Sequence, residues 1–473
     1  VFGIKNLYRP VNRRISRQIL VLGIPVIVSN LSRTVMNMAD VAMVGHLGRE
    51  ALAATGMGSM LVWMFLTMAI GLRTATQTVS SRRLGQKKFR QCGTAMHNAH
   101  LLAIGIMAPI TLLGFWFSDR FVPFFINDPV VTPLCISYTS IAFISIFFSS
   151  VGFVFQGFFT GVERTRIHMK VSVSANLLNV YLNAGLIYGS TGLHEILMKF
   201  NISWLGWLWG WMEFPAMGVE GAALATLIAS GWLMSHYFFY LLGSEFRRKF
   251  GVFHFTVDSA MMKRQLQLAL PQGVQEVIVT AGYAMFFKIA GLISITALAA
   301  TEVVFTILQA SFMPGIGIGQ ACATMVGKYL GERKPDQAEE SIIEAVRLSL
   351  WFMGSVGLVF LAMPHLILTV FAEDAGVIRH GAIALRLAGL IQFVDAIGLT
   401  LWFALSGAGN TTFPAVVETV VVWGFLLPVS YLTGVVLGYG FLGPWVAFGV
   451  EVILFAGVMT WKVSRGDWKK IVV

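Results

Sequence analysis

The sequence predicts an all-α polytopic membrane protein, with twelve transmembrane helices in two pseudo-symmetric six-helix bundles. Three observations predict it: the composition, the spacing of long apolar runs, and an internal repeat. Hydrophobic residues make up 56% of the 473 and charged residues only 12%. A soluble chain needs about 25% charged residues to clothe itself in water, so lipid must cover this one. The formal net charge of +11 does not point to nucleic acid. Its basic residues fall in short clusters between apolar runs, which is the pattern of membrane topology. Cys92, Cys135 and Cys322 are scattered, with neither metal-ligand spacing nor a disulfide framework, and read as inert packing residues. The basic N-terminal stretch leads into a full-length span, so no cleavable signal peptide is expected.

A helix needs roughly 20 apolar residues to cross the hydrocarbon. Twelve runs qualify, near 18–44, 51–79, 93–117, 130–158, 168–188, 217–243, 265–291, 297–325, 342–362, 376–404, 413–437 and 441–463. Helices are the expected form because an open sheet edge finds no hydrogen-bond partner in lipid. The terminal segments and every second loop together hold 25 Lys and Arg, among them Arg82, Arg83, Lys249 and Lys328. The alternate loops hold Arg49, Arg120, Lys199 and Arg379. This bias puts both termini in the cytoplasm and the protein in the cell (inner) membrane.

The peptide Ala51–Thr55 recurs at Ala297–Thr301, an offset of 246. The same offset carries Pro25 onto Pro271, Gly71 onto Gly317, Leu84-Gly85 onto Leu330-Gly331 and Gly161 onto Gly407. A constant offset over so long a stretch marks a duplicated unit. Later, Gly218-x-x-Gly221 matches Gly440-x-x-Gly443 at an offset of 222, so the first half carries 24 extra residues. This insertion, near 193–215, holds Trp204, Trp207, Trp209 and Trp211 and reads as a short interfacial helix. The expected division is an N-terminal tail 1–17, an N-lobe 18–243, a linker 244–264, a C-lobe 265–463 and a tail 464–473. Six spans per half give parallel repeats, a plan in which transporters bind substrate between halves.

The chain resembles the multidrug and toxic compound extrusion (MATE) family, and within it the NorM-like and DinF-like bacterial branches. The resemblance rests on MNMADVAMVGHLG in span 1, GLRTATQTVSSRRLGQKK and GIGQACATMVGKYLGERK after spans 2 and 8, the turns at Phe159–Thr165 and Ser406–Thr412, and GVEGAALATLIAS in span 6. It covers about 18–463 and implies a MATE/MOP-type fold. It also implies a secondary active antiporter that expels organic, often cationic, amphiphiles while Na⁺ or H⁺ enters. The major facilitator plan shares the span count, but Arg82-Arg83-Leu84-Gly85 lacks the Asp of its loop motif.

Charges at mid-membrane are costly and mark function. Asp40 lies deep in span 1. Asn176, Asn179 and Asn183 are spaced three and four apart in span 5 and so share one face. Thr226 in span 6 follows Ala222 by one turn. One carboxylate, amide oxygens, a hydroxyl and a carbonyl suit a monovalent hard cation better than a transition metal. The resemblance implies the same set, Asp40, Asn179, Asn183, Ala222 and Thr226, holding Na⁺ or, through Asp40, a proton. Asn176 reads as glue between helices. In the second half, Asp395 matches an acid of NorM-like members. Their span 7 glutamate falls on Val279, with Glu276 three residues earlier, so Glu276 and Asp395 are a possible cation or substrate site. Pro25 and Pro271 read as hinges. The sequence names no partner for Arg33 or Arg73. Aromatic and thioether side chains such as Met36, Met38, Phe286 and Phe287 suit amphiphilic cations.

The expected partners are small amphiphiles and membrane lipids. The expected state is a monomer, with no cofactor beyond the coupling ion. A flippase for lipid-linked precursors, in the same wider superfamily, is the alternative; it would show extra spans and several cavity arginines. A passive channel is disfavoured by the repeat and by Asp40. An enzyme is disfavoured because no nucleophile–base pair, His/Cys metal spacing or phosphate-cradling loop is visible.

Overall fold

Twelve helices of membrane-crossing length follow one another. They are α1 (Arg13–Gly45), α2 (Arg49–Gly85), α3 (Phe89–Phe125), α4 (Val131–Gly161), α5 (Thr165–Lys199), α6 (Gly218–Leu241), α7 (Ser259–Ile293), α8 (Ile295–Gly331), α9 (Pro335–Ala362), α10 (Ala375–Ala408), α11 (Thr412–Val436) and α12 (Leu442–Ser464). The computed structural model describes residues 11–199, 201 and 203–473, among which no strand occurs. Lys5 and Arg9 of the expected N-terminal tail lie outside the described residues. Eleven of the helices are apolar enough to span a membrane. The exception is α5, whose apolar run is interrupted by Asn176, Asn179 and Asn183. Its low hydropathy marks where the polar interior of the first lobe lies.

Sequence signals set several helix starts. Side chains of Asn12, Asp258, Ser294 and Asp374 accept hydrogen bonds from the first free backbone N–H groups of α1, α7, α8 and α10. The cap at Asp258 starts α7 six residues before the apolar run near 265. The insertion is not one interfacial helix. The backbone breaks at Gly189 (φ 69°, ψ 171°), α5 resumes to Lys199, and a single tight turn follows at Ser203–Leu208. Only glycine tolerates that break at no cost. Trp204, Trp207 and Trp211 are exposed, while Trp209 stacks on Tyr181 with ring centroids 5.0 Å apart.

The repeat is visible in the backbone. Lys87 and Arg333, 246 residues apart, both take a left-handed conformation, at φ 60° and 59°. So do Glu163 and Gly409, at 61° and 94°. The two bundles meet through a reciprocal seam of small residues. A Cβ on Gly85 would stand 2.0 Å from the Lys328 carbonyl oxygen, and one on Gly331 would stand 2.3 Å from that of Arg82. Gly71 faces Ala269, and its repeat mate Gly317 faces Gly23. Each contact is the image of the other under the 246-residue offset.

The seam runs along the halves of α1, α2, α7 and α8 that lie toward the basic loops. Polar ties reinforce it. Gln77 Nε2 donates to the Gln320 carbonyl (2.8 Å) and Thr324 Oγ1 (2.9 Å), and Thr78 Oγ1 donates to the Ser406 carbonyl (2.9 Å). Arg82 reaches the carbonyls of Ala408 (3.0 Å) and Ile471 (3.1 Å), and Lys328 pairs with Glu163 (2.8 Å). The expected C-terminal tail is packed here, with Trp468 only 1% exposed. α2 is interrupted at Thr67, and its Arg49–Leu66 half touches the second bundle far less than its Met68–Gly85 half does. Val35, Met38 and Val41 near the far end of α1 are exposed. The bundles are therefore closed at the basic end and parted at the other.

Candidate functional site

In the first lobe, α1, α5 and α6 bring Asp40, Asn179, Asn183, Thr226 and Ala222 together. Asn183 Nδ2 donates to Asp40 Oδ1 and also to Asn179 Oδ1 (3.1 Å). Asn179 Nδ2 donates to Thr226 Oγ1 (3.3 Å), which donates to the Ala222 carbonyl (3.1 Å). Asn179 and Asn183 are each 1% exposed. Asn183 Oδ1 is buried with no hydrogen-bond partner among the described residues. A buried acceptor left unpaired costs about 1–3 kcal/mol, and it lies beside a carboxylate that pairs with no cation among the described residues. Hard oxygen donors, one negative charge and an unused acceptor suit a small cation or a proton. No cluster of three His, Cys, Asp or Glu side chains suited to a metal occurs among the described residues.

A polar column extends from this site toward the basic end. Asn176 Nδ2 donates to Ser32 Oγ (2.6 Å), and Ser32 Oγ donates to the Ser29 carbonyl (2.8 Å). Ser29 Oγ meets His168 Nε2 at 3.0 Å, and His168 Nδ1 meets the Tyr237 hydroxyl at 2.5 Å. The sequence reading missed Ser29, Ser32, His168 and Tyr237. A buried histidine, His168, about two turns before Asn176 on α5 was the available signal.

The second lobe holds acids rather than amides. Glu276 (α7) and Asp395 (α10) share an electrostatic neighbourhood with Glu418 (α11) and Glu451 (α12). Glu451 is 4% exposed. Gln275 Nε2 donates to Glu418 Oε2 (2.9 Å). Glu276, Asp395 and Glu451 form no salt bridge and accept no side-chain hydrogen bond among the described residues. The sequence reading named the first two acids and missed Glu418 and Glu451, although each is a charge inside an apolar span.

Pro25 and Pro271 lie inside α1 and α7. Each stands between two residues of the seam, Gly23 and Ile27 for the first, Ala269 and Gly273 for the second. Arg33 lies over the Trp63 ring, 5.7 Å from its centroid, and Arg73 over Phe153 at 5.9 Å. Neither forms a salt bridge among the described residues.

Two six-helix bundles joined by a reciprocal seam, each with ionisable groups in an apolar interior, define a two-lobed helical membrane transporter. The MatE family model matches residues 25–184 and 271–432, one segment in each lobe. The chain belongs to the MatE family, whose members are transporters and not enzymes. It is 25% identical over 460 residues to a probable multidrug resistance protein NorM of Thermotoga maritima, covering 96% of this chain and 94% of that one. It is 26% identical over 451 residues to a multidrug resistance protein NorM of Burkholderia vietnamiensis, covering 93% and 92%. In fold it resembles a multidrug resistance MATE family transporter of the MOP superfamily solved in an outward-facing conformation. That match has a TM-score of 0.84 at 18% identity and covers 100% of this chain and 99% of that one. A MOP superfamily transporter from Pyrococcus furiosus gives 0.83 at 19% identity, covering 100% and 99%.

Proposed function

We propose that the chain is a secondary active multidrug exporter, exchanging cytoplasmic organic amphiphiles, often cationic, for external Na⁺ or H⁺. The observation that carries this reading is Asp40, a lone membrane carboxylate among oxygen donors, beside the unpaired Asn183 Oδ1. Asp40, Asn179, Asn183, Thr226 and the Ala222 carbonyl hold the coupling ion. The names of the NorM relatives support drug efflux as the task.

The basic end is cytoplasmic, by the bias of Lys and Arg, in the inner membrane, and the protein acts as a monomer. With that orientation, a seam closed at the basic end leaves the cleft open to the outside. The N-lobe (18–243) and C-lobe (265–463) rock about the seam, and Pro25 and Pro271 let α1 and α7 bend there. An entering ion at Asp40 meets the unused Asn183 Oδ1 and favours the state from which substrate leaves. Coupling requires only that ion and substrate prefer different states. Glu276 and Asp395 in the C-lobe draw the cationic part of the substrate.

Efflux of a fluorescent organic cation from proteoliposomes, with Na⁺ and proton gradients imposed separately, tests this. One gradient is expected to drive efflux, and Asp40→Asn to remove the drive. Efflux that ignores both gradients would overturn the antiporter reading.

A further inference from the structure

The cleft between the lobes carries opposite charges on its two walls. Arg73 of α2, with Arg33 of α1 near it, belongs to the first lobe, and Glu276 of α7, with Glu418 of α11 near it, belongs to the second. Its floor is where the bundles begin to part, at Met68 against Gly273 and Ile27 against Gly317. Glu276 stands about one turn beyond Gly273 toward the parted end, and Arg33 more than one turn beyond Ile27. Arg73 lies within electrostatic range of both Arg33 and Glu276. Arg73 and Glu276 therefore stand on the two sides of the seam, yet among the described residues no salt bridge joins them.

That separation is costly. An arginine inside the membrane costs about 2.5–3.5 kcal/mol on insertion scales, and removing a partner from a buried pair costs about 3–5 kcal/mol. A protein that kept these charges for stability alone would let them pair. Here Arg33 and Arg73 rest on aromatic rings, and Nε of Arg73 is buried without an acceptor among the described residues. On the opposite wall Gln272, one turn before Glu276 on the same face, is 1% exposed, and neither its Nε2 nor its Oε1 has a partner among the described residues. Donors unused on one wall, and acids with an unused amide on the other, form a site for a molecule that brings both charges.

We propose that the cleft floor is a two-signed substrate site. Arg33 and Arg73 hold an anionic group, a carboxylate or phosphate that a guanidinium fork matches in shape. Glu276 and Glu418 hold a cationic group. The preferred cargo is an amphiphile bearing both charges, and a purely cationic amphiphile leaves the arginine wall unused. This rests on the exporter reading above, since it takes the cleft as the substrate path.

The test is equilibrium binding to the purified full-length chain in nanodiscs of anionic lipid. Three fluorescent probes of one shape serve: Nε-dansyl-lysine (both charges), its methyl ester (cation only) and its Nα-acetyl derivative (anion only). The doubly charged probe is expected to bind at least about tenfold more tightly than the ester, the scale of one charge-assisted contact. Arg73→Gln and Arg33→Gln are expected to remove that preference without weakening the ester, whose cation then meets less repulsion. Glu276→Gln should weaken the ester and the doubly charged probe alike. Arg73→Lys, which keeps the charge, should retain part of the preference. Asp40→Asn, inactive in coupled efflux, should keep all of it, which separates this site from the ion site.

Equal affinity for the doubly charged probe and its ester on the unmodified chain would overturn the proposal, and needs no variant. In that case the exporter reading stands if a gradient still drives efflux of an organic cation. The same chemistry occurs in a phosphoethanolamine headgroup. Repeating the titration in phosphatidylethanolamine discs identifies the source. A weaker apparent affinity there means that the lipid headgroup occupies the site, and an unchanged affinity means that a soluble solute does.

Discussion

The two lobes are copies in backbone and opposites in chemistry. The first satisfies its interior with a hydrogen-bonded column of amides, hydroxyls and one carboxylate, from Tyr237 through Asn176 to Asp40. The second places Glu276, Asp395, Glu418 and Glu451 in matching apolar surroundings with few donors to meet them. Meanwhile the seam keeps its symmetry down to single glycines and left-handed turns. Duplication therefore fixed the docking faces, where a Cβ collides with backbone, while interior polar positions were free to diverge. In the proposed function, one lobe handles the ion and the other meets the cargo.

The largest expected effect comes from Asp40→Asn in the first lobe. Gradient-driven efflux from proteoliposomes falls to the ungated rate, whereas Asp395→Asn in the second lobe slows efflux but leaves it gradient-dependent. If both variants lose coupling equally, the division of labour is wrong. Next come the paired seam variants Gly85→Val and Gly331→Val. Each forces a side chain into a carbonyl across the seam, at a cost of about 1–3 kcal/mol or more. Spin labels at Lys87 and Arg333 should move apart by similar amounts in both variants. Unequal shifts would show that the two halves of the seam do different jobs. A smaller contrast concerns stability. Asp395→Asn is expected to raise the unfolding temperature, because no donor among the described residues satisfies that carboxylate. Asp40→Asn should lower it, by removing the charged acceptor of Asn183, a bond of about 1.5–3 kcal/mol. A thermal-shift measurement that ranks them the other way would reveal an unseen partner for Asp395. The smallest effect belongs to Asn176→Ala, which loses one bond to Ser32. About 0.6 kcal/mol is expected, with efflux retained.

Much of this was legible in residue order because membrane folding leaves few choices. Apolar run length set the helices, and the 246-residue offset set their pairing. Asp40 and the Asn179–Asn183 face were legible because a carboxylate and two amides in lipid have few places to go. The serines and the histidine of the column were not. Ser29 and Ser32 look like ordinary small packing residues until α5 is docked against α1. Glu418 and Glu451 were visible as charges, but their shared neighbourhood depends on how α11 and α12 turn against α7. The insertion was misread because tryptophan content signals an interface, not a backbone path, and the break at Gly189 needs φ/ψ to be seen. Which end of the seam is closed follows from how the two bundles dock, which residue order does not display.

The seam closes mainly by backbone lying against backbone, with a handful of polar ties from Gln77, Thr78, Arg82 and Lys328. At about 0.5–1.5 kcal/mol for each neutral tie and about 1.5–3 kcal/mol for each charged one, those ties hold the closed end, in the proposed function, on the scale that ligand binding can reverse. Swinging a two-state balance from 1:99 to 99:1 takes about 5.5 kcal/mol of preference for one state. A latch with interlocked large side chains would outlast any single ion. In the proposed function, smooth glycine faces keep the machine within reach of its fuel.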